Sequence, residues 1–114
     1  LLNSGLIQAW QDGVRNNGTI LDITNATNGT FTGSRGLINS GLITSVNNQG
    51  SITGRTTGVY NNSGSIGTLS NSGTISGDNK GIYNNSGTIT TLTNSGTLSG
   101  NHTAIYNYSG SIDT

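Results

Sequence analysis

The stretches Asn39–Asn61, Asn62–Asn84 and Asn85–Asn107 spell one 23-residue unit three times, as NSGLITSVNNQGSITGRTTGVYN, NSGSIGTLSNSGTISGDNKGIYN and NSGTITTLTNSGTLSGNHTAIYN. A fixed period of this size marks stacked supersecondary units, each of which buries its apolar face only against its neighbours. Residues 1–38 follow the same pattern more loosely. The expected organisation is one domain, divided into coils at about 1–15 (partial), 16–38, 39–61, 62–84, 85–107 and 108–114 (partial). Leu1 precedes a half-unit, Thr114 stops seven residues into another, and neither an initiator Met nor a signal peptide is present. The expectation is therefore a piece of a longer array, with end rungs that associate or fray.

The apolar residues fall in four columns. Ile20, Ile43, Ile66, Ile89 and Ile112 form the first, and Ile23, Val46, Leu69 and Leu92 the second. Ile7, Phe31, Ile52, Ile75 and Leu98 form the third, and Val14, Leu37, Val59, Ile82 and Ile105 the fourth. Most are flanked by Thr or Ser, as in Thr88-Ile89-Thr90, which is the two-residue period of a half-buried strand. Gly, Asn, Ser and Thr make up 69 of 114 residues, and the glycines recur between the short apolar runs, so helices are excluded. Three glycine-marked corners per unit predict an all-β, single-stranded parallel β-helix of about five coils, roughly 24 Å tall at ~4.8 Å per coil. Asn-Ser-Gly before each strand predicts turns in which Asn and Gly take positive φ. Two extra residues ahead of Gly29 predict a bulged corner.

Asparagines recur two residues after an apolar column, where strand alternation turns them inward. Asn3, Asn48, Asn71 and Asn94 form one such set, and Asn16, Asn61, Asn84 and Asn107 another. Amides stacked this way bond from rung to rung and satisfy the polar corners of a narrow core.

The strings GVYNNSGSIGTLSNSGTISG and GIYNNSGTITTLTNSGTLSG resemble the repeats of bacterial autotransporter passengers, the exported adhesin-like domains of type V secretion. The resemblance covers essentially the whole chain. It implies a right-handed β-helix exported through a C-terminal membrane barrel and displayed on a Gram-negative cell surface. Passengers of this kind serve as adhesins, as self-association modules, or as stalks carrying a protease or esterase domain.

Charge narrows the remaining choices. Four acidic and four basic side chains cancel, which gives no footprint for nucleic acid or an anionic membrane. No apolar run is long enough for a membrane helix. The absence of Cys removes thiolate metal sites, and the lone His102 cannot build a multi-His site, so no cofactor or metal is expected. Asp22 and Asp113 are far apart in sequence, and Asp12 and Asp78 lie about three coils, ~14 Å, apart, wider than a glycosidase pair. No catalytic residues are expected.

Six of the nine ionisable Asp, Arg, Lys and His residues share one corner: Asp12, Arg35, Arg55, Asp78, Lys80 and His102. Arg35, Arg55, Lys80 and His102 recur at roughly coil spacing. This edge is either a contact surface for an extended polymer or a solvated turn, and its substitution is expected to leave stability unchanged. Tyr60, Tyr83 and Tyr106 should stack outward, as an aromatic ladder or as a binding stripe, with Arg15 and Ile38 breaking the column. The Thr/Ser pairs flanking the third column, such as Thr30/Thr32 and Thr74/Ser76, resemble the flat faces of ice-binding solenoids, although strand propensity accounts for them as well.

The leading expectation is a non-catalytic surface module that binds host glycan or protein, or associates with itself. The alternatives are the β-helical scaffold of a secreted enzyme whose catalytic domain lies elsewhere and, more remotely, an ice-binding solenoid.

Overall fold

A computed structural model describes residues 1–113, which form fourteen β-strands and no helix. The first coil contributes β1 (Leu2–Asn3), β2 (Leu6–Gln8) and β3 (Asp12–Asn16). The second holds β4 (Thr19–Asn25) and β5 (Thr30–Asn39), and the third β6 (Leu42–Asn48) and β7 (Ser51–Asn62). The fourth holds β8 (Ser65–Asn71), β9 (Thr74–Gly77) and β10 (Lys80–Asn85). The fifth holds β11 (Thr88–Asn94), β12 (Thr97–Gly100) and β13 (Thr103–Tyr108), and β14 (Ser111–Ile112) opens another.

Every pairing is parallel, and each strand pairs with its counterpart one coil away. One sheet runs β1-β4-β6-β8-β11-β14, and the other eight strands form a second sheet. The chain is thus a parallel β-solenoid. The corner that carries the charges is a break in the first, fourth and fifth coils. In the second and third, β5 and β7 run through it as continuous strands, with a register shift between Gly33 and Arg35.

The four apolar columns pair as the periodicity predicts, for example Ile43 with Ile66, Val46 with Leu69, Ile52 with Ile75 and Val59 with Ile82. All eight of those side chains are buried, and they belong to a single hydrophobic cluster that runs the length of the stack. Period-two alternation puts these residues inside, and like-on-like stacking lets one packing solution repeat.

Both asparagine ladders are present and are longer than the sequence periodicity indicated. One runs Asn3-Asn25-Asn48-Asn71-Asn94 and the other Asn16-Asn39-Asn61-Asn84-Asn107, with each Nδ2 donating to the next Oδ1 at 2.7–2.9 Å. Each internal amide also donates to backbone carbonyls, as Asn48 does to Thr74. Among the described residues no buried side-chain nitrogen or oxygen lacks a partner. Asn94 and Asn107, on the last complete rung, are exposed.

The corners depart from expectation in two ways. Positive φ falls on Ser63 (61°), Ser86 (61°) and Ser109 (58°), and on no glycine. These serines are the additional residues in the Asn-X-Ser-Gly corners that follow Asn61, Asn84 and Asn107; the earlier corners, Asn16-Asn17-Gly18 and Asn39-Ser40-Gly41, lack them. Glycine is needed instead for close approach between coils: a Cβ on Gly64 would lie 2.5 Å from the Asn39 amide and 2.8 Å from the Gly41 carbonyl. The two extra residues ahead of Gly29 form a tight turn in which the Gly29 N–H donates to Ala26 O at 2.7 Å. The strands on either side keep their pairing, so the irregularity stays within the corner.

Candidate interaction surface

The charged corner and the adjoining tyrosine column form one lateral edge. Strand alternation turns the residue between each inward pair outward, which sets Arg15, Ile38, Tyr60, Tyr83 and Tyr106 in a single register column. Arg15 and Ile38 hold the same register without a ring, so the run of tyrosines stops at Tyr60, and Ile38 is buried there. Tyr60 and Tyr83 stack with centroids 4.8 Å apart and planes 4° from parallel, while Tyr83 and Tyr106 are 5.3 Å apart and tilted by 41°. The first two rings cover each other's inner faces, which gives the column the character of an aromatic ladder. Burial pushes the Tyr83 phenol above its ordinary value of 10.0, and the neighbouring Tyr60, Tyr106 and Tyr108 add to the shift. An outer amide bond, Asn85 Nδ2 to Asn62 Oδ1 at 3.1 Å, runs beside the tyrosines.

The cations divide among three columns. Asp12, Arg35, Thr57, Lys80 and Thr103 share one. The pairing of Gly54 with Gly77 and of Gly77 with Gly100 places Arg55 beside Asp78, and His102 in the following column beside Asn79. The four side chains lie along one corner without forming a single row.

Each cation has its own surroundings. Asp12, with only 5% of its side chain exposed, accepts from Arg15 Nη2 and from Arg35 Nε, both at 2.6 Å. The Arg35 guanidinium carbon also lies 5.8 Å from the Tyr60 centroid. Arg35 is thus tied into the structure by an ion pair with a nearly buried carboxylate, a contact that a solvated turn would not need. Lys80 Nζ sits over two rings, 5.0 Å from Tyr83 and 5.2 Å from Tyr106. Arg55 reaches back two coils, donates from Nη2 to the Trp10 carbonyl and lies 4.9 Å from the indole centroid. His102 is exposed, and its backbone N–H donates to Asn79 O at 3.1 Å.

Two participants escaped the sequence pattern. Arg15 is the second partner of Asp12, three residues on. Trp10, which seats Arg55, is the chain's one tryptophan and lies in the same corner as Asp12. That composition was the available signal. Among the described residues no pocket opens and no three His, Cys, Asp or Glu side chains gather.

Set against known protein families, characterised proteins and solved structures, the chain finds no match.

Proposed function

We propose that this chain is a non-catalytic, surface-exposed β-solenoid module of the autotransporter passenger kind, a stalk whose lateral edge makes weak multivalent contacts. The observation that carries the reading is the pairing of two unbroken amide ladders with an outward edge of Tyr60, Tyr83, Tyr106, Lys80 and Arg55. The ladders supply a stiff, extensible axis. The edge offers cations seated on aromatic rings in separate coils, which suits a polymer better than a small molecule because linked weak contacts multiply. The partners are host surface glycan or protein, or a second passenger, and display is at a Gram-negative cell surface through a C-terminal barrel.

Beads coated with the chain test the reading. They should adhere to glycan-bearing cells or clump with one another in a salt-sensitive way. Beads that neither adhere nor clump at any ionic strength would overturn it.

A further inference from the structure

Trp10 is 84% exposed, the most exposed of the large apolar side chains. It does not hang free. Arg55 covers one side of the indole at 4.9 Å and bonds to the Trp10 carbonyl, across 45 positions of sequence. An exposed tryptophan held in place by a second residue loses little freedom on binding and so makes a good contact point.

The charge of Arg55 is also uncommitted. Arg15 and Arg35 both pair with Asp12, whereas among the described residues Arg55 makes no ion pair with a carboxylate. A guanidinium carries five donors in a planar fork that matches a carboxylate. One of these goes to the Trp10 carbonyl, and the others remain available.

We propose that Trp10 and Arg55 form a platform for a carboxylate-bearing sugar within an acidic polysaccharide. The indole offers its electron-rich face to the positively polarised C–H face of the pyranose. Arg55 covers the opposite face of the indole, and its fork pairs with the carboxylate of a neighbouring uronate where the polymer passes the ring edge. No pocket is needed, and none opens among the described residues. An acidic peptide would satisfy Arg55 alone, and a neutral glycan the indole alone. The proposal deepens the adhesion reading, on which it rests for Arg55, by naming the ligand.

Because the chain has a single tryptophan, its emission reports this site directly. Titration with a hyaluronan oligosaccharide should change the emission saturably. A neutral dextran oligosaccharide of equal length and a polyglutamate peptide should each bind about tenfold more weakly or worse, because each satisfies one of the two groups. Arg55→Gln should reduce hyaluronan affinity to the dextran level. Trp10→Ala, followed by calorimetry, should remove binding, while Thr90→Ala on the other sheet should leave it unchanged. Circular dichroism confirms that the variants fold. Unchanged emission with hyaluronan, equal affinity for Arg55→Gln, or equal affinity for polyglutamate would overturn the proposal. Beads that still adhere in those cases leave the adhesion reading standing, whereas beads that fail while the titration succeeds remove that reading alone.

Discussion

Asn48 Nδ2 donates to Asn71 Oδ1 across 2.7 Å, and both residues are buried. Asn71 repeats the bond to Asn94 at 2.8 Å, so one side chain serves two rungs. Strong amide bonding inside a narrow core makes each ladder residue a shared component of adjoining coils.

Asn71→Ala should therefore destabilise the stack by about 1–3 kcal/mol for each buried group left unpaired. Thr74→Ala, half-buried on the outward side of β9, should stay within about 0.5 kcal/mol. Urea denaturation of the two variants makes the comparison. Equal small shifts would show that the ladder amides are not closed to water.

Gly41 and Gly18 occupy the same place in the repeat and should respond differently. A Cβ on Gly41 would press on the Gly18 carbonyl, whereas one on Gly18 meets nothing within 4 Å. Gly41→Ala should cost about 1–3 kcal/mol, the range for overpacking. Gly18→Ala should be close to neutral. No glycine has positive φ, so backbone strain does not enter the comparison. Thermal melts that rank the pair in the opposite order would refute the close-approach account.

Arg35 and Arg55 should separate in the same manner. Arg35→Ser breaks a 2.6 Å bond to nearly buried Asp12 and should lower stability by about 1.5–3 kcal/mol, as for bonds to charged groups. Arg55→Ser, at an exposed site, should change stability by no more than about 0.5 kcal/mol. Matching melting temperatures for the two variants would contradict the structural role of Asp12.

Tyr83 gives the edge a pH dependence. Its folded-state phenol is raised above 10.0, so folding favours the protonated form. The corresponding stability is fully present below the unfolded value and is lost as pH rises through the folded one. Urea midpoints measured from about pH 9 to pH 11 should fall for the parent and fall less for Tyr83→Phe. Identical alkaline profiles for the parent and Tyr83→Phe would remove this assignment.

The solenoid was legible because its apolar columns obey two periods at once, two residues along a strand and 23 along the chain. The ladders were legible only in part. Asn25 and Asn39 were missed because counting from glycine corners fails where corner length changes, at Ala26–Gly29 and at Asn39-Ser40-Gly41. Counting from the core would have found both, since Asn25 follows Ile23 and Asn39 follows Leu37 by two residues. Positive φ at Ser63 and Ser86 was hidden by the neighbouring Asn and Gly, which are the usual residues for that conformation. The charged corner was legible as a cluster but not as contacts. Long side chains there choose partners across one or two coils: Arg35 turns to Asp12, Lys80 to two tyrosines and Arg55 to Trp10. No column count specifies such rotamers.

In both ladders asparagine bonds to asparagine at every rung, so no internal coil is marked as belonging at a particular height. In a tandem gene, slippage that copies or drops one whole unit would change the rod by a single rung of ~4.8 Å and require no new kind of contact. Reach then becomes a trait that selection can adjust in fixed increments, independently of what the edge recognises.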